Sequence, residues 1–309
     1  MRTKTKILIY VITFIIVFTI SAVVRINLLG SAPMKLIKVK WDDTVGTIYK
    51  NLSYENNNGN NYDLYIPANL DKNKEQYLIL FIHGGSFNSG SKEDGDAWCK
   101  FYASKGYITA TVDYTLQNHG LEASINLMNK EIENSIKAMK EQLEKMGYNV
   151  VGMASSGVSA GGTLAMNLAY NNNSVIPVKF VFQLAGPTYF DPNDWKLLMK
   201  VDKIKTSSEF IKMMTGFEIE EDEYVEYIEK ISPASLVNEN TVPTLMGYGL
   251  IDHCVPTNQK FYLIDALKKN NVPYDYIEFP KSNHGMYNDL DKMQEFIDKS
   301  LQYSEKYFK

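Results

Sequence analysis

The chain has two cysteines in 309 residues, Cys99 and Cys254, which excludes a disulfide scaffold and a four-cysteine zinc site and leaves at most one bridge between them. Its charges nearly cancel. With 32 basic against 36 acidic residues and a net charge of −4, no positive field exists to hold nucleic acid as a partner. The sequence contains no H-E-x-x-H, no clustered Cys/His set, no G-x-x-x-x-G-K-[ST] and no Rossmann glycine triplet, so no metal, nucleotide or nicotinamide cofactor is expected. Internal repeats are absent, and the one low-complexity stretch is Asn-rich, from Glu55 to Asn61. What the chain does have is apolar content, 45% against 22% charged, enough for one large core and too much for global disorder.

The first 25 residues stand apart. Arg2, Lys4 and Lys6 precede an uncharged run from Ile7 to Val24. Such a run makes roughly 27 Å of helix, close to the hydrocarbon thickness of a bilayer, and shows no polar face of the kind a buried core helix has. The pattern predicts a single-pass membrane anchor over residues 1–30, a membrane-bound protein and a catalytic body outside the cytoplasm. Lys35, Lys38 and Lys40 follow the run and weaken the charge bias that sets orientation. The alternatives are secretion after cleavage of a signal peptide, for which small residues at −3 and −1 are hard to find, and a helix packed into the body.

Residues 31–309 read as one α/β domain. Short continuous apolar runs, YLILFI (77–82), YITATVD (107–113), NVVGMAS (149–155), VKFVFQLAG (178–186), TLMGYG (244–249) and YDYIEF (274–279), suit strands covered on both faces, as in a mostly parallel sheet. Between Ala123 and Met146 apolar residues recur at steps of three and four, the stripe of a crossover helix. An N-terminal hairpin pairs VGTIYKNLSY with YDLYIP across the Asn-rich turn. The stretch from Phe190 to Val237 breaks the rhythm. It is helical by pattern and lies between two strands, so it reads as a cap over the sheet edge where open α/β sheets bind ligands.

Four features end strands on that edge. Gly157-Val158-Ser159-Ala160-Gly161 is a G-x-S-x-G between a strand and a helix, where small residues permit a sharp turn that presents Ser159 Oγ as a nucleophile. His83-Gly84-Gly85-Ser86-Phe87 follows YLILFI. Its glycines let Gly84, Gly85 or Ser86 turn an N–H inward to join Ala160 N–H as an oxyanion hole. A serine hydroxyl needs a base, and the base needs an orienting carboxylate. Of the four histidines, His83 precedes a glycine turn, His119 lies in a loop and His253 is misplaced in chain order. His284, in SNHG after the last strand, is the expected base. Asp252, in GLIDHCVP after TLMGYG, is the expected acid, with Asp113 and Asp289 as alternatives.

Taken together, HGGSF, the DYTL at Asp113–Leu116, GVSAGG, SPASL, the D-x-x-V-P at Asp252–Pro256 and SNHG resemble the α/β-hydrolase superfamily. Within it they are similar to the esterase/lipase branch of hormone-sensitive-lipase-like and feruloyl-esterase-like enzymes. The resemblance implies the α/β-hydrolase fold and a serine carboxylesterase acting on small-molecule esters, with Ser159 acylated, His284 as base then acid, and Asp252 orienting it. The chain departs from that pattern in HGGS for HGGG and DYTL for DYRL. A serine peptidase or amidase of the same fold and a non-catalytic binding module are the rival readings. Trp195, Leu197, Leu198, Met199, Phe210, Met213, Met214 and Phe217 in the cap could line an acyl pocket or simply pack. Short acyl groups, acetyl to butyryl, are expected.

Overall fold

A computed structural model describes residues 32–54, 61–117, 123–201, 203–217 and 223–309. The run from Ile7 to Val24, most of the Asn-rich turn and His119 lie outside them. Among the described residues no helix is long and apolar enough to cross a membrane.

Eight strands form one sheet: β1 (Gly46–Ser53), β2 (Asn61–Pro67), β3 (Glu75–Ile82), β4 (Ile108–Val112), β5 (Asn149–Val158), β6 (Val178–Leu184), β7 (Thr244–Gly249) and β8 (Tyr274–Phe279). Their spatial order is β1-β2-β4-β3-β5-β6-β7-β8. The β1/β2 hairpin and the β2/β4 pair are antiparallel, and every other neighbour is parallel.

Parallel strands need crossovers, and the helices that supply them cover both faces. Alternation along β6 shows this directly. Phe180 and Phe182 place their rings against Tyr303 and Phe296 of the C-terminal helix Leu290–Tyr307. Gln183, pointing the other way, meets Gly162 of the helix Ala160–Asn171. The long crossover helix Ile125–Lys145 starts at Ser124, whose Oγ accepts the Leu127 N–H at 3.1 Å. Ile125, Met128, Ile132, Ile136, Met139 and Leu143 are all fully buried along one stripe. At about 1.5–3 kcal/mol per buried side chain against about 1 kcal/mol for the cap, packing dominates its stability.

The helix Asp96–Ser104, after a 3-10 turn at Lys92–Gly95, fills the β3–β4 crossover and has no counterpart in the periodicity reading. The Ser91/Asp94 capping box starts the 3-10 turn that leads into it. Tyr102 on it contacts Ser300 Oγ at 2.6 Å, joining it to the C-terminal helix. The insertion after β6 consists of short helices, Lys196–Val201, Ser207–Thr215, Tyr224–Ile231 and Pro233–Leu236. It docks on the body through Gln117 Nε2, which donates to the Met213 carbonyl at 2.6 Å, and through Gly216, which faces Ser124 closely. The two cysteines are free, Cys99 buried and Cys254 exposed, so no bridge joins them.

Candidate active site

Ser159 sits where β5 turns into the helix Ala160–Asn171. It adopts φ 56°, ψ −127°, a left-handed conformation that costs a non-glycine residue free energy and recurs at functional turns. The turn is tight enough to dictate its glycines. A Cβ on Gly157 would lie 2.3 Å from the Gly161 carbonyl oxygen, and one on Gly161 would lie 2.1 Å from that of Ile82. Ser159 N–H donates to the Leu184 carbonyl at 2.8 Å, and the Ser159 carbonyl accepts the Gly162 N–H at 2.8 Å. The backbone is thereby held, while among the described residues the hydroxyl makes no hydrogen bond.

The loop after β3 lies against this turn. Gly85 has φ 114°, and Ser86 and Phe87 follow with φ 52° and 63°. The Gly85 carbonyl accepts the Asn88 and Ser89 amides, both at 3.0 Å, which curls the loop. The N–H groups of Gly85, Ser86 and Ala160 take part in none of the hydrogen bonds formed among the described residues. These free donors flank Ser159. His83 serves the loop as a packed strut. Buried, it stacks on Tyr114 at 4.2 Å, and its Nδ1 donates to the Gly84 carbonyl at 2.7 Å. Burial holds its pKa below the usual histidine value, which favours the neutral ring.

Asp252 follows β7 and His284 follows β8, neighbouring strands of the sheet. The two loops meet because Gly249 has no side chain: a Cβ there would lie 2.5 Å from the Asn283 carbonyl oxygen. His284 Nδ1 then stands 2.7 Å from Asp252 Oδ2. The other oxygen, Oδ1, accepts the amides of Cys254 at 2.8 Å and Val255 at 3.0 Å. A buried carboxylate with these three partners can hold an imidazole in one tautomer. Ser159 and His284 line the same open cavity of about 580 Å³, together with Gly84, Gly85 and Ser86. Among the described residues no hydrogen bond joins the serine hydroxyl directly to the imidazole.

The two alternative carboxylates are engaged elsewhere. Asp289 Oδ2 accepts Ser282 Oγ at 2.7 Å and the Lys281 N–H at 2.9 Å, so it shapes the His284 loop from behind. Asp113 Oδ1 accepts the Lys92 N–H at 2.8 Å, and burial raises its pKa to about 6.

Ser159 also borders a second, narrower cavity of about 50 Å³ beneath the cap, lined by Phe87, Phe190, Trp195, Leu198, Met213 and Met214 among others. An aromatic ladder backs it, Phe87 to Phe190 at 6.1 Å, Phe190 to Trp195 at 5.7 Å and Trp195 to Phe210 at 6.5 Å. Trp195, Leu198, Met213 and Met214 of the expected cap stripe therefore line space. Phe210 is buried behind Trp195, whereas Phe217 is 51% exposed. Sequence reasoning missed Phe87 and Phe190 in this wall and Trp98 and Tyr287 in the open cavity. No motif marks them, and only the meeting of distant loops assembles them. It also missed Cys254 beside Asp252 and His284, although D-H-C spells out the proximity to the acid.

Known proteins share this architecture. A truncated carbohydrate esterase from gut microbiota superposes with a TM-score of 0.70 at 18% identity, covering 88% of this chain and all of that one. An esterase from the planctomycete Thermogutta terrifontis with propionate bound gives 0.66 at 16% identity over 86% of this chain and 96% of its own. At such identities the likeness is one of fold. In sequence, Esterase LipI of Mycobacterium tuberculosis is 28% identical over 123 residues, 39% of this chain and 37% of that protein. Kynurenine formamidase of Salmo salar is 24% identical over 140 residues, 44% of this chain and 45% of that protein. The chain thus spans less than half the length of these curated relatives. The BD-FAE family model matches residues 62–267, from the second strand through the Ser159 turn and the Asp252 loop, and on that match the chain belongs to the BD-FAE family.

Proposed function

We propose that this protein is a serine carboxylic-ester hydrolase that cleaves short to medium acyl esters through an acyl-enzyme. Ser159 Oγ attacks the ester carbonyl while His284 takes its proton, and Asp252 keeps the imidazole oriented and stabilises the imidazolium. Ala160 N–H and the Gly84–Ser86 loop donate to the developing oxyanion, where each such donor is worth roughly 3–4 kcal/mol. Collapse of the tetrahedral intermediate breaks the C–O bond, and His284 returns its proton to the departing alkoxide. Water then attacks the acyl group, again with His284 as base, and frees the acid and the serine.

The observation that carries this reading is the 2.7 Å contact between His284 Nδ1 and Asp252 Oδ2 at a cavity that Ser159 shares. A binding module has no use for that pairing. The narrow cavity of about 50 Å³ supports the acyl preference. A water-sized group needs about 10–15 Å³ of such space, so the cavity takes the few carbons of a butyryl chain. Hydrolysis of a small amide is a second reading, favoured by the likeness to a kynurenine formamidase.

A fluorophosphonate probe tests the mechanism: peptide mapping should find Ser159 as the labelled residue, and labelling of any other serine overturns it. Parallel kcat/KM values on p-nitrophenyl esters and the matching anilides separate esterase from amidase. We place the catalytic body outside the cytoplasm, held by the uncharged run from Ile7 to Val24. Membrane sedimentation with an intact N-terminus supports the anchor, and a mature start between residues 20 and 32 replaces it by a cleaved signal peptide.

A further inference from the structure

Cys254 stands two residues beyond Asp252, and one ligand atom from each of Asp252, Cys254 and His284 lies within 4.8 Å of the other two. Bond lengths of about 2.0–2.3 Å in a tetrahedral zinc site put its donors about 3.5 Å apart, so modest side-chain rotations bring these three atoms onto one ion. Carboxylate, thiolate and imidazole together suit a borderline-soft divalent metal and give hard ions such as Mg²⁺ little. Access is built in. A cavity of about 460 Å³ lined by Asp252, His253, Cys254 and Asp194 reaches two of the three side chains, His284 opens onto the neighbouring cavity of about 580 Å³, and Cys254 is exposed. The Asp194 carboxylate adds negative potential to its wall.

We propose that Asp252, Cys254 and His284 form a binding site for a Zn²⁺- or Cd²⁺-class cation, and that its occupancy switches hydrolysis off. On binding, the Cys254 S–H bond breaks, its proton leaves to solvent and the sulfur lone pair forms the metal–sulfur bond. No electron is transferred, and water fills the open position. A ligated His284 can no longer be oriented by Asp252 or take the serine proton. The site stands without the catalytic reading, whereas its inhibitory effect rests on it.

The test uses the full chain. Cd²⁺ titration is followed by the thiolate-to-cadmium charge-transfer absorption, Zn²⁺ by calorimetry, and ester hydrolysis is measured against each variant's own metal-free rate, with Mg²⁺ as control. Cys99 is buried, so the absorption band reports Cys254. The parent should bind one equivalent and lose hydrolysis in step with it. Cys254→Ser should lose the band and bind Zn²⁺ more weakly by about 10- to 100-fold or more. Ser159→Ala, which removes no ligand, should bind Cd²⁺ as the parent does. Absence of the band in the parent, or Cys254→Ser binding Zn²⁺ as tightly, overturns the site. Unchanged hydrolysis at saturating metal overturns its inhibitory effect.

Discussion

Gly84 stands so close to the nucleophile turn that a Cβ on it would lie 2.6 Å from the Val158 carbonyl oxygen and 3.2 Å from the Ser159 Cβ. The loop of candidate oxyanion donors is thus seated on the backbone that carries the serine hydroxyl. Gly84→Ala must push the two apart. Overpacking of this kind costs about 1–3 kcal/mol, and displacing a donor costs roughly 100- to 1,000-fold in kcat. Chemical denaturation and ester kinetics on one preparation check both. A variant that keeps the parent's kcat places the donors elsewhere.

Asp252→Asn should keep the fold and lose about 10²- to 10⁴-fold in kcat, because an amide cannot hold the required tautomer or stabilise the imidazolium. Asp289→Asn acts differently. It weakens the clamp on Ser282 and Lys281 that shapes the His284 loop, so it should lower Tm and reduce kcat less. Circular dichroism melts beside steady-state kinetics distinguish the two, and equal kinetic losses would count against Asp252 as the orienting acid.

Trp195→Ala should enlarge the narrow cavity beside Ser159, since Trp195 lines it between Phe190 and Phe210. The preferred p-nitrophenyl ester should shift from acetyl–butyryl toward hexanoyl or longer, with a stability loss of about 3–5 kcal/mol for a buried tryptophan. Parent enzyme that already prefers dodecanoyl esters would show that the acyl group lies in the open cleft instead.

Asp113 gives a pH dependence of stability with a definite sign. Burial raises its pKa from 3.8 unfolded to about 6 folded, so between those values the folded state binds more protons than the unfolded state. Its contribution is present below pH 4 and is lost as pH rises through 6. Asp113→Asn should therefore flatten the stability profile between pH 4 and 7 while leaving the kcat profile of the parent in place. Denaturant midpoints across that range check it, and a kcat loss matching that of Asp252→Asn would reassign the acid.

The strand–turn–helix around Ser159 is legible in sequence because its demands are local. Gly157 and Gly161 are needed by backbone atoms a few residues away or on the adjacent strand, and the buried strands read as continuous apolar runs because helices cover both faces of the sheet. The helix Asp96–Ser104 escapes that reading because it is short and its buried side is made of Cys99, Phe101, Tyr102 and Ala103, residues that suit a strand as well.

Which carboxylate meets the histidine is another kind of question. Asp113, Asp252 and Asp289 all stand at strand or loop ends, and chain order ranks them without joining any to His284. The sheet decides. With β7 beside β8 and β4 three strands away from β6 on the other side of β3 and β5, Asp252 comes to 2.7 Å from His284 across 32 residues of chain, while Asp113 turns to Lys92. The cavities have the same origin. Phe87, Phe190, Trp195 and Met213 enclose space only because cap and loop are packed against each other, and packing between segments far apart in the chain leaves no period in the sequence from which it could be read.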